Sequence, residues 1–288
     1  MVFSIARVAG IIIAAALAAL APYQHAQRLV DIGDRRLNVY CVGTGSPSVV
    51  LESGLGTGTD VWHLVQPKVA RTNRVCSYDR AGLGFSDPGP HPRSADLEAI
   101  DLHALLHDAG IPGPYVLVGH ALGSFVTELY ASLYSSEVAG MVLVDPMVNP
   151  RPFDTVGPQM KNYYHSIQQN YQKCAATSEH CRTALSEITS YNDGRSLAEV
   201  RDADRGYNNL PLVVLTATGS LDFLGTDVLP AEKDAFWKIW NQQHTEIAGE
   251  SSIGVNIVVP HSGQNVPLDQ PNAVVSAIGK VISEARLR

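Results

Sequence analysis

The residues best placed to do chemistry lie in a short turn at 119–123, whose sequence is Gly-His-Ala-Leu-Gly. The apolar run from Tyr115 to Val118 before this turn predicts a strand, and the amphipathic run from Phe125 to Leu133 after it predicts a helix. Small residues on both sides of the tip allow the sharp strand-to-helix turn on which a nucleophile for acyl transfer can be held exposed. The tip residue is Ala121, however, and its methyl group cannot attack a carbonyl carbon.

Four other motifs occur in order along the chain. They are Glu52-Ser53-Gly54-Leu55-Gly56, Cys76-Ser77-Tyr78-Asp79-Arg80-Ala81-Gly82-Leu83-Gly84, Leu143-Val144-Asp145-Pro146 and Leu268-Asp269-Gln270-Pro271. Each motif is common by itself. Together with the turn at 119–123, their order and spacing resemble the bacterial, esterase-like α/β-hydrolase superfamily. The resemblance covers about residues 28–288, apart from one polar helical segment.

The resemblance implies a site with four parts: a nucleophile, a base, an acid and donors for an oxyanion. It assigns the nucleophile position to Ala121 and the oxyanion hole to the backbone N–H groups of Leu55 and Leu122. The acid is assigned to Asp145, which directly follows a predicted strand. Asp222, which lies farther along a loop after the next strand, is the alternative acid.

The position of the base is a second departure from the family pattern. Relatives carry a histidine seven residues before the proline of the Asp-Gln-Pro run, and counting back from Pro271 gives Gln264. Glutamine donates and accepts hydrogen bonds, but it cannot take up a proton at neutral pH. His261, three residues earlier, is the alternative base if this loop is rearranged.

These two departures leave two hypotheses for the function. In the first, the chain is by ancestry a serine hydrolase of ester or related acyl bonds, and it is hydrolytically impaired as written. In the second, it is a natural non-hydrolytic protein that binds a ligand, or acts as a lyase, through its retained oxyanion donors. Whether the chain is an enzyme stays open, and so does whether Ala121 and Gln264 are engineered or natural, although glutamine is an unusual engineering choice. The expected partner in either case is a small-molecule ester or acyl compound.

Nothing in the sequence calls for a cofactor, a metal or a nucleic acid. The pairs Gly43-x-Gly45 and Gly82-x-Gly84 lack the third glycine of a dinucleotide fingerprint. His63, His120 and His244 do not have the spacing of metal ligands. A net charge of −7 gives no electrostatic reason to expect nucleic acid as a partner.

The elements that position these residues follow from the alternation of short apolar runs with amphipathic stretches after Arg28. With the resemblance, this alternation predicts the α/β-hydrolase fold, a mostly parallel eight-stranded sheet with helices on both faces. The core is predicted at 28–146 and 210–288. The polar helical segment at 147–209 is predicted to be a lid inserted between two strands.

The N-terminus and the cysteines indicate an exported protein, periplasmic or secreted. Residues 1–21 carry one charge, Arg7, followed by an apolar run of 14 residues from Val8 to Ala21, which predicts a signal peptide. The alternative is an uncleaved membrane anchor, although this run is short for a spanning helix. Four cysteines are compatible with an oxidising compartment. Of these, Cys174 and Cys181 could pair, whereas Cys41 and Cys76, in two predicted strands, are expected to be buried thiols.

Overall fold

Eight strands form one sheet in the computed structural model, which describes residues 20–203, 207–219 and 228–288. The strands are β1 (Arg28–Asp31), β2 (Arg36–Val42), β3 (Ser48–Glu52), β4 (Val75–Tyr78), β5 (Tyr115–His120), β6 (Val138–Val144), β7 (Leu212–Gly219) and β8 (Val255–Gly263). Their order is β1-β2-β4-β3-β5-β6-β7-β8. β2 is antiparallel to both of its neighbours, and all other pairs are parallel, which confirms the predicted sheet. Most of the predicted signal peptide and the alternative acid Asp222 lie outside the described residues.

Helices surround this sheet. In the described chain they are α1 (Gln66–Val69), α2 (Ala95–Asp108), α3 (Gly123–Leu133), α4 (Gln159–Cys174), α5 (Glu179–Asn192), α6 (Arg195–Asp202), α7 (Pro230–Ala248), α8 (Val266–Asp269) and α9 (Pro271–Ala285). No helix among the described residues is both long and apolar enough to cross a bilayer. Between β3 and β4 the chain forms a 3-10 turn, Thr59–Trp62, followed by the short helix α1. A continuous helix fails there because Pro67 has no N–H to donate to the carbonyl one turn earlier.

Two hydrophobic cores lie on opposite faces of the sheet, because alternate residues of a strand point to opposite sides. In β5, Leu117 belongs to one core, and Val116 and Val118 belong to the other. Residues of α2, α3 and α7 complete the first core, and residues of α9 complete the second. Both faces of the central strands are therefore covered, and β3 and β5 are buried along their whole length.

The segment predicted as a lid forms helices between β6 and β7, and we call its described part, 147–203, the helical insertion. It contains a 3-10 turn, Arg151–Thr155, and the helices α4, α5 and α6. A disulfide between Cys174 and Cys181 joins the end of α4 to the start of α5, as the sequence suggested. That the insertion acts as a lid stays a prediction.

The expectation of free thiols at Cys41 and Cys76 is wrong, because these two residues form a disulfide. They lie directly opposite each other in the antiparallel pair β2–β4, with their Cα atoms 4.1 Å apart. Opposite residues of such a pair place their side chains on the same face of the sheet, within bonding reach. The sequence showed two strands but not that they are neighbours.

Candidate active site

The turn after β5 has the backbone of a strained elbow. Ala121 adopts φ +48°, in the left-handed region, where a residue with a Cβ atom costs ~1–2 kcal/mol. Backbone hydrogen bonds hold it there: its N–H donates to the carbonyl of Val144 (3.0 Å), and its own carbonyl accepts from the N–H of Met147 (3.2 Å). The hydroxyl of Ser124 donates to the same carbonyl at 2.7 Å. The strained conformation is thus fixed by contacts to β6, to the chain beyond it and to α3.

The glycines on either side of the tip are required by close packing. A Cβ atom on Gly119 would lie 2.5 Å from the Thr127 hydroxyl oxygen and 2.8 Å from the carbonyl oxygen of Gly123. A Cβ atom on Gly123 would lie 2.4 Å from the carbonyl oxygen of Ser53 and 2.8 Å from Cγ of Glu52. The elbow therefore packs against itself and against the loop that follows β3.

This second loop, residues 53–58, is the glycine-rich loop, and it lies beside the elbow tip. A Cβ atom on Gly54 would be 3.5 Å from Cβ of Ala121. Leu55 follows in this loop, and Leu122 follows the elbow tip. Within the described parts of the chain, neither the Leu55 nor the Leu122 amide donates a hydrogen bond. Both predicted oxyanion donors thus have unengaged N–H groups, and their role stays a prediction.

The predicted acid, Asp145, lies next to the elbow and is fully buried. It directly follows β6, whose last residue Val144 is opposite His120 in the parallel register. Asp145 has φ +45°, so it too is a non-glycine residue in the left-handed region. Its Oδ1 accepts hydrogen bonds from the backbone N–H of Ala217 (3.1 Å) and from Nε1 of Trp240 (3.2 Å). The carboxylate is therefore oriented by β7 and α7.

The two candidate base positions differ in their distance from the elbow. The carbonyl oxygen of Gln264 accepts a hydrogen bond from Nε2 of His120 at 2.9 Å, which places Gln264 against the elbow. His261 is exposed on β8 with φ +55°, and its carbonyl accepts from the side-chain amide of Gln270. The contacts described for His261 do not include the elbow. The structure thus brings Gln264, and not His261, to the turn that carries Ala121.

His120 belongs to the site although the sequence analysis did not assign it there. Its ring is buried, and Nε2 must carry a proton because its partner, the Gln264 carbonyl, can only accept. Burial lowers the pKa of His120 in spite of this hydrogen bond, so the ring is neutral. Its Nδ1 faces Gly54 and has no hydrogen-bond partner among the described residues. A histidine directly before the elbow tip, at the end of a strand, was the available signal.

Arg80, which follows β4, fastens the glycine-rich loop. Its side chain is 2% exposed and donates to the backbone carbonyls of Ser53 (2.6 Å) and Gly54 (2.9 Å) and to a carboxylate oxygen of Glu52 (2.6 Å). The hydroxyl of Tyr78 donates to the other oxygen of Glu52. Burial, with a smaller opposing effect of Arg80, raises the pKa of Glu52. The glycine-rich loop is therefore held in place by Arg80, which is itself paired with the buried Glu52.

A cavity of about 780 Å³ lies between the helical insertion, α3 and α7. Phe125, Met147, Tyr164 and Tyr191 line its inner side, and each is nearly inaccessible to solvent. The lining does not include Ala121, although Met147 is hydrogen-bonded to it. This cavity therefore lies beside the elbow, behind a wall of apolar and aromatic side chains. No cluster of three potential metal ligands occurs in the parts of the chain that the structure describes.

Comparison with known proteins gives one family. A family model described as alpha/beta hydrolase fold matches residues 47–242. The chain is 27% identical over 236 residues to the uncharacterized protein YqjL of Bacillus subtilis, which is 82% of this chain and 83% of that protein. Several other curated relatives are matched over less than half of their own length.

Solved structures show the same fold at low identity. A thermophilic esterase from Thermogutta terrifontis has a TM-score of 0.59 and 20% identity, and the match covers 90% of this chain and 99% of that one. The enol-lactonase from Burkholderia xenovorans has a TM-score of 0.63 and 14% identity, with 89% and 100% covered. At these identities the likeness is one of fold alone.

Proposed function

Because the chain belongs to the α/β-hydrolase fold family, we propose that it descends from serine hydrolases of ester or related acyl bonds and is hydrolytically impaired as written. The observation that carries this proposal is the alanine in a left-handed conformation at the elbow tip, φ +48°. Glycine would relieve the strain at such a position. A strained residue that keeps its Cβ atom is typical of a turn built to present a side chain.

The proposed chemistry needs a hydroxyl at position 121. In the ancestral reaction that oxygen attacks the acyl carbon, a base at position 264 takes its proton, and the Leu55 and Leu122 amides stabilise the oxyanion. Asp145 orients the base in this scheme. As written, the methyl group of Ala121 cannot attack, and the Gln264 side chain cannot take the proton. The parts that remain can polarise a carbonyl but cannot complete a covalent cycle.

The relatives support ester or related acyl bonds as the ancestral substrate class. One structural neighbour is an esterase and another is an enol-lactonase, according to their names. Both names denote enzymes that cleave ester bonds, since a lactone is a cyclic ester. The fold is shared with these proteins, and the elbow, the glycine-rich loop and Asp145 supply this chain's counterparts for such a reaction.

The test is to restore both missing groups and to measure turnover. The double variant Ala121→Ser/Gln264→His is assayed with p-nitrophenyl acetate and butyrate beside the unaltered chain and each single variant. We expect turnover in the double variant and a loss of about 10²–10⁴-fold on adding Asp145→Asn, the size typical for groups that act with the base. A folded double variant without turnover would contradict the proposed ancestry. Esterase activity in the unaltered chain would contradict the proposed impairment and would direct attention to His261.

The second candidate function is a natural ligand-binding or lyase-like protein. The unengaged amides of Leu55 and Leu122 favour it, because they could hold a carbonyl oxygen without covalent chemistry. Under this hypothesis, acyl compounds raise the melting temperature of the unaltered chain and no product forms. A ligand that stabilises the double variant but not the unaltered chain would count against it.

We propose that the chain is exported, periplasmic or secreted. The apolar run after Arg7 supports this proposal, and so do two disulfides, since such bonds persist in oxidising compartments. Expression of the full chain with fractionation and N-terminal sequencing tests it. We expect a mature chain that begins after the apolar run. A full-length chain in the cytoplasm would contradict export, and an uncleaved chain in the membrane fraction would identify an anchor.

A further inference from the structure

A buried carboxylate of the helical insertion reaches the glycine-rich loop. Glu187, on α5, lies 1% exposed beside Arg80, with its two oxygens 2.9 and 3.0 Å from Nε and Nη2 of the guanidinium. The same carboxylate accepts the backbone N–H of Gly56 at 3.2 Å. The hydrogen bonds between Arg80 and Glu187 join two charged groups that are buried away from water, and such bonds are among the stronger ones in proteins. The insertion is thus joined to the loop by two routes, one through Arg80 and one direct.

These two routes fix both sides of Leu55. Arg80 Nη2 holds the carbonyl oxygen of Gly54, which belongs to the same peptide unit as the N–H of Leu55. That unit is planar and trans, so its N–H points away from its carbonyl oxygen. Glu187 holds the next N–H along the chain, that of Gly56. The direction of the Leu55 N–H is therefore set by groups that Glu187 binds.

The insertion also packs on the loop at this point. A Cβ atom on Gly56 would lie 2.6 Å from the Tyr171 hydroxyl oxygen on α4 and 3.2 Å from Cβ of Ala184 on α5. Gly56 has φ +60°, in the left-handed region that favours glycine, and there is no room for a Cβ atom beside Tyr171. The loop thus lies between the sheet edge and the insertion.

We propose that Glu187 is a positioning residue, which aims the Leu55 amide toward the elbow tip by holding Arg80 and the Gly56 N–H from the helical insertion. The inference rests on the proposed function, in which that amide is an oxyanion donor. It makes the helical insertion part of the reactive machinery, in addition to the lid that the sequence predicts it to be. Glu187 itself touches neither the tip nor a substrate in this scheme.

The first test needs no activity. The full chain is labelled with ¹⁵N-glycine and ¹³C-carbonyl leucine. A carbonyl-filtered NMR spectrum then shows only the amide signals of the four glycines that follow a leucine: Gly56, Gly84, Gly123 and Gly225. In Glu187→Gln, the NH₂ group of the new side chain replaces one of the two accepting carboxylate oxygens. It then faces either Arg80 or the Gly56 N–H, both of which are donors, so one of these hydrogen bonds is lost. We expect an upfield shift of the Gly56 amide proton and about tenfold or greater loss of its exchange protection, with Gly84 as an internal reference.

A matched control uses the other acidic residue of the same helix that pairs with an arginine. Glu179, at the start of α5, binds Arg182 at 2.6 Å on the surface and does not touch the glycine-rich loop. Glu179→Gln should leave the Gly56 signal in place. If Glu187→Gln fails to fold, Glu187→Asp keeps the charge but shortens the reach by one methylene, and the Gly56 signal should move in the same direction. An unmoved Gly56 signal in a folded Glu187 variant would overturn the proposal.

The second test measures catalysis in the Ala121→Ser/Gln264→His background. Because an oxyanion contact forms in the transition state, Glu187→Gln should lower kcat by about 10–100-fold with little change in KM. Equal losses in Glu187→Gln and Glu179→Gln, or a loss confined to KM, would contradict positioning. A background without turnover would contradict the proposed function alone, since the Gly56 measurement would still decide the role of Glu187.

Discussion

The close approach of the glycine-rich loop to the elbow predicts that Gly123→Ala destabilises the chain although it improves a helix. Gly123 is the first residue of α3, and a Cβ atom there would lie 2.4 Å from the carbonyl oxygen of Ser53. An ordinary carbon–oxygen contact is ~3.3–3.6 Å, so the loop must recede by about 1 Å. Gly279, within α9, is the matched control, because a Cβ atom there meets nothing within 4 Å.

The two substitutions share one energy contribution and differ in the other. Glycine to alanine in a helix contributes up to about 1 kcal/mol of stability, so Gly279→Ala should stabilise the chain by roughly that amount. Forcing a methyl group into a packed region costs ~1–3 kcal/mol. We therefore expect Gly123→Ala to be less stable than Gly279→Ala by about 1–3 kcal/mol. This difference isolates the contact between elbow and loop.

Urea unfolding, followed by circular dichroism, measures the free energy of unfolding of both variants and of the unaltered chain. Equal slopes against urea would show that the comparison is between similar folded and unfolded states. If Gly123→Ala were as stable as Gly279→Ala, the loop would not lie against the elbow, and the assignment of Leu55 as an oxyanion donor would lose its basis.

Three further predictions concern buried groups. Burial, and to a smaller extent the neighbouring Glu187, raise the pKa of Glu98 well above 4.5. The folded state therefore holds the carboxyl proton of Glu98 more tightly than the unfolded state does. The unaltered chain should lose stability relative to Glu98→Gln as the pH rises above 4.5, measured by urea titrations at each pH. Burial lowers the pKa of His244 to about 3, so the folded state resists protonation of this ring; its contribution to stability should fall by about 4 kcal/mol between pH 6.5 and 3, a fall that His244→Gln should lack. Cys41→Ser/Cys76→Ser opens a disulfide that spans 35 residues and should lower the free energy of unfolding by about 4 kcal/mol, measured as a lower urea midpoint.

The sheet could be predicted from the sequence because its signals are local. Buried apolar runs such as Ser48–Glu52 and Met141–Val144 end at turns, and the structure contains both as strands or parts of strands. The predicted mostly parallel eight-stranded sheet is confirmed. The small residues of the elbow also have a local meaning, since the turn itself needs Gly119 and Gly123.

The remaining features depend on contacts between distant parts of the chain. Glu187 and Arg80 are 107 residues apart, and no local pattern indicates that they meet. The pairing of β2 with β4 is likewise invisible along the sequence, which is why the Cys41–Cys76 disulfide was missed. A count of residues placed Gln264 in the base position by resemblance. The structure adds that its carbonyl accepts a hydrogen bond from Nε2 of His120.

Under the proposed function, position 121 is the place of a lost nucleophile beside a retained oxyanion site. The most direct measurement is labelling with a fluorophosphonate, followed by intact-mass and peptide mass spectrometry. In Ala121→Ser/Gln264→His, the introduced hydroxyl oxygen should bond to phosphorus as fluoride leaves, with its proton passing to the introduced histidine. We predict one adduct on the peptide that contains position 121, and none on the unaltered chain. An unlabelled, folded double variant, or equal labelling of the unaltered chain, would contradict the claim.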